Sequence, residues 1–127
     1  MKSAFPGDPS GDFEVALIDK IFSVSGMQDA DTSRVNAYLD GIMMLKADQF
    51  VEPGTYPQYD SLVRTRPINR IEVNDIAHRT FALNLYVPLR GEALILGLSR
   101  DRQMVLFDRE KLFRVIKKRP WFKPRAQ

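Results

Sequence analysis

The chain of 127 residues contains no cysteine and a single histidine. Without cysteine, disulfide frameworks, thiolate metal sites and cysteine nucleophiles are excluded. Neither a Gly-x-Gly-x-x-Gly sequence nor a Walker sequence is present, so the glycine loops that cradle phosphates are absent too. Long apolar runs are also missing: no stretch approaches 18 consecutive apolar residues, and residues 1–12 contain no apolar signal-peptide core. We therefore expect a soluble, cytoplasmic protein without a membrane segment or a cofactor.

Residues that could support catalysis or bind a metal are sparse. His78 follows Asp75 by three residues, a spacing at which a carboxylate can orient an imidazole on a helix, but the segment immediately precedes a predicted strand. The segment 29–40 superficially resembles a calcium loop, yet Arg34 occupies the position that requires glycine, and Asp40 the position where Glu is usual. We predict no catalytic residue and no metal site, and a small metal-independent enzyme is the least favoured function.

What the chain does have is the composition of one globular domain. Hydrophobic residues make up 44% of it and charged residues 28%, and a chain of this length buries a core without disulfides. Prolines and glycines mark residues 1–11 as a flexible lead-in. We predict a single α+β domain over 12–119, followed by a basic, aromatic tail over 120–127.

Two helices are predicted in the first part of the domain. Over residues 13–25 the apolar residues recur at helical spacing, although the sequence FEVALI also fits a strand. A second, clearer helix begins at a cap formed by Asp31 or Thr32, and its apolar face consists of Val35, Tyr38, Leu39, Ile42 and Met43. Gly41 within it weakens the helix by about 1 kcal/mol relative to alanine, which indicates close approach to a neighbour. Together the two helices predict an N-terminal helical hairpin.

The period of the apolar residues then changes from helical to two. Residues 49–67 form a long connection that contains prolines and tyrosines, and four strands follow over residues 70–73, 79–87, 92–98 and 103–107. Short connections make the last three strands an antiparallel meander, and Asp108 caps a final helix that stops before Pro120. The predicted fold class is α+β: an N-terminal helical hairpin, a three- to four-stranded antiparallel meander and a C-terminal helix packed on the sheet.

Charge is distributed unevenly along the chain. Residues 1–60 carry ten acids and four bases, a net charge of −6, whereas residues 61–127 carry six acids and fifteen bases, a net charge of +9. Such asymmetry between halves is typical of a protein that binds an anionic partner. Alternatively, the acidic half packs beside the basic half, within one copy or between two.

The predicted topology brings cations of the basic half together. If the final helix runs back along the last strand, its end lies near the second turn of the meander. The residues predicted to bind an anionic partner are Arg100, Arg102, Lys117, Lys118, Arg119, Trp121, Lys123 and Arg125. Cations beside exposed aromatic residues suit nucleic acid, and an acidic protein surface is the other partner considered. Alternatively, the cations stabilise a helix end and Trp121 anchors the tail in the core.

The alternative function is a protein–protein interaction module without a nucleic-acid role: an adaptor, an immunity-type inhibitor or a self-associating subunit of a homo-oligomer. Its possible interface residues are Met43 and Met44 on the second helix, and Tyr56 and Tyr59 in the connection 49–67. An enzyme would use the cleft between that connection and the sheet. Salt-dependent binding of nucleic acid separates the first function from the second, and a deep pocket with shifted pKa values would indicate the third.

Overall fold

The dominant element of the fold is one antiparallel sheet. The computed structural model describes residues 1–18, 21–74 and 80–123, so Asp75, His78 and Arg125 lie outside the described residues. Within these ranges the sheet has eight strands: β1 (Lys2–Ala4), β2 (Phe13–Ile18), β3 (Ile21–Val24), β4 (Gln49–Val51), β5 (Asn69–Asn74), β6 (Thr80–Leu85), β7 (Leu94–Ser99) and β8 (Met104–Asp108). Their order across the sheet is β3-β2-β1-β5-β6-β7-β8-β4. The strands β3 and β4 are therefore its two edges.

One long helix crosses the sheet. The helices are α1 (Thr32–Met43), α2 (Pro57–Leu62) and α3 (Arg109–Phe113), and 3₁₀ turns lie at Pro9–Gly11 and Arg119–Phe122. Because α1 connects the edge strand β3 to the opposite edge strand β4, it must pass over one face of the sheet. Its twelve residues span about 18 Å. None of the helices in the described ranges has both the length and the apolar character needed to cross a membrane.

The two faces of the sheet bury two separate cores. The first core, under α1, comprises Phe5, Phe13, Val15, Val24, Met27, Val35, Tyr38, Ile71, Leu85, Ile95, Val105, Phe107, Leu112, Val115 and Phe122. The second core, under α2, comprises Val51, Tyr59, Leu62, Tyr86, Leu96, Leu98, Met104 and Leu106. Alternate residues of a strand point to opposite faces, so Ile95 enters the first core and Leu96 the second, each 1% exposed. This explains why the sequence of β7 is apolar at nearly every position.

The predicted N-terminal helical hairpin is wrong. Residues 13–18 and 21–24 form the paired antiparallel strands β2 and β3, in which Val15 pairs with Val24. The strand over FEVALI that the sequence also allowed coincides with β2. Phe13 and Val15 are buried while Glu14 between them is exposed, the alternation of a strand. The residues at 13, 17, 21 and 24 also match a helical period, but β-branched residues and pairing with β1 favour the strand.

The predicted size of the sheet and length of the last helix are also wrong. A meander of three or four strands was expected, but β1, β2 and β3 extend it beyond β5, and β4 extends it beyond β8. The last helix, α3, ends at Phe113 rather than running to Pro120, so α1 is the only described helix longer than two turns. Residues 1–11, expected as a lead-in, contain β1, which lies between β2 and β5.

Other local expectations are confirmed. The carboxylate of Asp31 accepts hydrogen bonds from the backbone N–H groups of Ser33 and Arg34, at 2.9 and 3.3 Å, and so caps α1. Asp108 caps α3 in the same way through the N–H of Glu110, at 2.9 Å. The strands β6, β7 and β8 form the expected antiparallel meander.

The connection 49–67 is more ordered than its sequence indicates, because it contains both β4 and α2. Tyr59 of α2 is buried in the second core, and the ring of Tyr56 packs edge-on against it with 5.8 Å between centroids. The connection therefore covers the second face of the sheet near β4.

Candidate binding groove

The C-terminal segment, residues 109–123, is fixed across the start of α1. Phe122 is fully buried, with its ring centroid 4.6 Å from that of Phe13 and 5.4 Å from that of Tyr38. Its carbonyl accepts a hydrogen bond of 2.7 Å from the backbone N–H of Asp31. Nη1 of Arg34 donates to the carbonyl of Trp121 at 2.6 Å. The C-terminal segment is therefore packed on the domain, and Phe122 is its anchor.

Trp121 is half-buried and lies between cations. The guanidinium carbon of Arg34 is 5.5 Å from the ring centroid, and Nζ of Lys117 is 5.1 Å from it. Both distances are within the range of cation–π attraction. The indole thus holds Arg34 and Lys117 in place beside α1, rather than projecting into solvent as part of a tail.

A groove runs between α1 and the C-terminal segment. It encloses about 570 Å³, a volume in the range of ordinary ligand sites. Its apolar lining consists of Ala37, Gly41, Met44, Leu45 and Trp121. Its charged lining consists of Asp40 on the α1 wall, and Lys111, Arg114 and Lys117 on the C-terminal wall.

Gly41 brings the two walls of the groove together. A β-carbon at this position would lie 3.0 Å from Cγ1 of Val115, which is fully buried. The sequence predicted such a close approach from the presence of glycine inside a helix. The two walls of the groove therefore meet at Gly41, and the apolar lining beside this contact forms a recess.

The cations of the groove differ in whether they are already paired. Nζ of Lys111 lies 2.8 Å from Oδ1 of Asp48, and this hydrogen bond lowers the pKa of the Asp48 carboxyl. No carboxylate of the described residues lies within 4.0 Å of the charged nitrogens of Arg114 or Lys117. With Asp40 and Asp48 counted, the groove keeps a formal charge of +1. Arg114 and Lys117 are therefore the cations available to an anionic ligand.

The remaining predicted cations lie elsewhere on the surface. Nζ of Lys118 is 2.8 Å from Oδ2 of Asp8, an ion pair that lowers the pKa of the Asp8 carboxyl. Arg119 and Lys123 line a separate depression beside residues 23–29, on the β3 side of the 3₁₀ turn. These three cations thus face away from the groove that Lys117 enters.

Arg100 and Arg102 lie at the opposite end of the sheet. They belong to the β7–β8 turn, and Arg100 lines a depression with Thr80, at the start of β6. Lys118 instead lies near residues 67–68, which lead into the start of β5, and β5 starts beside the end of β6. The length of β6, about 17 Å, separates the two regions. The structure therefore does not bring all the predicted cations together.

The predicted protein-interface residues also differ from one another in how exposed they are. Met43 and Met44 are 83% and 77% exposed, and Met44 lies at the mouth of the groove. Tyr59 is buried in the second core and is not accessible to a partner, while Tyr56 beside it is 37% exposed.

Sequence reasoning missed several residues of the groove. Arg114 was counted only as part of the basic half, and the α1 wall was not recognised. A signal was present, because Ala37, Asp40, Gly41 and Met44 recur at i, i+3, i+4 and i+7 and so share one helix face. Its two small residues mark a surface that another segment can approach closely.

Comparison with protein-family models, with curated proteins and with solved structures finds no match. In the part of the chain that the structure describes, no three His, Cys, Asp or Glu side chains are grouped as a metal ion would require. The features of the molecule that indicate a function are therefore the geometry and charge of the groove.

Proposed function

We propose that the protein is a binding protein whose groove, between α1 and the C-terminal segment, holds an anionic part of a partner. The observation that carries this proposal is the presence of two cations, Arg114 and Lys117, without a carboxylate partner among the described residues, beside an apolar recess. Two other lysines of the C-terminal segment, Lys111 and Lys118, already have carboxylate partners, and Arg119 and Lys123 line a different depression. The groove therefore presents two cations that can pair with an anionic ligand.

The apolar lining of the groove adds to the affinity that its charges alone would provide. An exposed ion pair contributes only about 0.2–1 kcal/mol, because water screens it and two long side chains lose freedom. Lys117 is partly buried against Trp121, which restricts its freedom before any ligand binds. A ligand that also covers apolar surface gains the larger hydrophobic contribution. We infer that the partner has both an anionic and an apolar portion.

The test compares two double variants with the same loss of charge. Arg114→Ala with Lys117→Ala removes the free cations of the groove, and Arg100→Ala with Arg102→Ala removes two cations from the β7–β8 turn. The probes are fluorescently labelled polyglutamate and a labelled single-stranded oligonucleotide, followed by anisotropy at low and at physiological salt. Trp121, the only tryptophan, reports from inside the groove through its emission.

We expect at least one probe to bind, to change the emission of Trp121 and to bind more weakly as salt rises. The groove variant should lose about two- to thirtyfold in affinity, as expected for two exposed ion pairs, whereas the turn variant should retain it. Absence of binding by both probes at low salt, or an equal loss in the two variants, would refute the proposal.

A further inference from the structure

We propose further that the anionic part is an acidic segment of a partner protein, with an apolar side chain in the recess and carboxylates on Arg114 and Lys117. This inference rests on the proposed function, since it names the partner of the same groove. Three features of the groove favour an acidic protein segment over nucleic acid.

The first feature is the carboxylate of Asp40 on the α1 wall. It faces the same groove as Arg114 and Lys117 and has no cationic partner within 4.0 Å among the described residues. A nucleic-acid backbone carries a charge at every phosphate, so it would place negative charge beside Asp40. A peptide can place a backbone N–H or a neutral side chain there, and Asp40 accepts hydrogen bonds.

The second feature is that the Trp121 ring already contacts two cations. A base binds to tryptophan by stacking on an open face of the indole. Here the cations of Arg34 and Lys117 already contact the ring, at 5.5 and 5.1 Å from its centroid. Arg34 is also held by the carbonyls of Trp121 and Lys123, at 2.6 and 3.0 Å, so moving it aside would break both hydrogen bonds.

The third feature is the apolar recess itself. The small side chain of Ala37 leaves space on the α1 wall, and Met44, 77% exposed at the mouth, has a flexible side chain that adapts to different ligands. Burying one leucine-sized side chain there would raise affinity by about ten- to 150-fold. A phosphate backbone has no equivalent apolar group.

The experiment uses the full chain and labelled synthetic peptides of equal length: one of Glu and Leu, one of Glu and Ser, and one of Gln and Leu. A single-stranded oligonucleotide is the fourth probe. We expect the Glu/Leu peptide to bind at least about tenfold more tightly than each of the other three. Equal binding of the Glu/Leu and Glu/Ser peptides would overturn the apolar contact that the inference requires.

Two groove variants and one control variant locate the contacts. Ala37→Leu fills the recess without changing charge and should lower the affinity for the Glu/Leu peptide at least about fivefold. The control Ala93→Leu, at an exposed position outside the groove, should leave this affinity unchanged. Asp40→Asn removes the repulsion and should tighten oligonucleotide binding more than peptide binding. If Ala37→Leu leaves the peptide affinity unchanged, the recess does not hold the side chain and the inference fails.

The outcomes separate this inference from the proposed function. If the oligonucleotide binds more tightly than the Glu/Leu peptide and depends on Arg114 and Lys117, the proposed function stands but the partner is nucleic acid. If no probe binds, both fail. If sedimentation shows self-association that Arg114→Ala with Lys117→Ala abolishes, a second copy with its acidic half occupies the groove, and a separate partner protein is ruled out.

Discussion

Gly41 lies within α1, and its environment sets two physical effects against each other. Replacing it by alanine removes the helix penalty of glycine, which alone would stabilise the protein by about 1 kcal/mol. The added β-carbon, however, would lie 3.0 Å from Cγ1 of Val115. Carbon atoms pack best at about 3.5–4.0 Å, so α1 and the C-terminal segment would have to separate by about half an ångström.

We expect the steric cost of this contact to exceed the stability gained from the higher helix propensity of alanine. Val115 is fully buried, and its branched side chain is stiff, so it cannot simply rotate away. Inserting a methylene into a packed region typically costs about 1–3 kcal/mol. Set against the gain of about 1 kcal/mol, this predicts that Gly41→Ala lowers the free energy of unfolding by about 1 kcal/mol. The sign is thus opposite to that expected from propensity alone.

Urea unfolding of three single variants and one double variant tests this reasoning. Ala37→Gly, at an exposed position one turn earlier, reports the propensity effect in the same helix and should cost about 1 kcal/mol. Val115→Ala removes the contacting methyl groups, and in that background Gly41→Ala should become stabilising. A Gly41→Ala protein that is more stable than wild type would refute the close contact between α1 and the C-terminal segment.

Two further predictions concern the aromatic cluster of the first core. Phe122→Ala should lower the free energy of unfolding by about 3–5 kcal/mol, because it leaves a cavity between Phe13 and Tyr38. It should also shift the emission of Trp121 to longer wavelength. A loss below about 1 kcal/mol in urea unfolding would contradict the role of Phe122 as anchor. Burial raises the pKa of the Tyr38 hydroxyl above its unfolded value of about 10, so the folded state holds this proton more tightly and stability should fall as pH rises above about 10, by up to about 1.4 kcal/mol per pH unit. Tyr38→Phe should remove most of this dependence of stability on pH. A smaller part should remain from Tyr59, because burial also raises the pKa of that hydroxyl. If the free energy of unfolding, measured between about pH 9 and 12, depends on pH as strongly in the variant as in wild type, the role of Tyr38 is contradicted.

The charge asymmetry of the sequence has a partly internal explanation. Lys118 pairs with Asp8, 110 positions away, and Lys111 with Asp48, 63 positions away. In both pairs a base of the second half meets an acid of the first, which is the alternative that the asymmetry left open. Charge counts could not reveal it, because pairing depends on which surfaces the fold places side by side.

The candidate site was predictable only in part. Lys117 and Trp121 were recognised from their type and clustering, and the structure places both in the groove. Arg100 and Arg102 were placed with them on the assumption that the last helix returns along β8, but α3 has only five residues. The helical face that forms the other wall was visible as a pattern, yet nothing in the pattern said which segment would cover it.

The sequence by itself determined the features that a few neighbouring residues encode. The caps at Asp31 and Asp108, the apolar face of α1 and the alternation in β6 follow from local hydrogen bonding and from the periods of helix and strand. Only the tertiary structure decided between helix and strand at 13–25, where both periods fit the apolar residues. It also decided the central position of β1, where Ser3 donates a 2.9 Å hydrogen bond to Asn69, 66 positions away. Such pairings, and the groove formed where the C-terminal segment meets α1, arise from contacts between distant parts of the chain, and these a local pattern cannot specify.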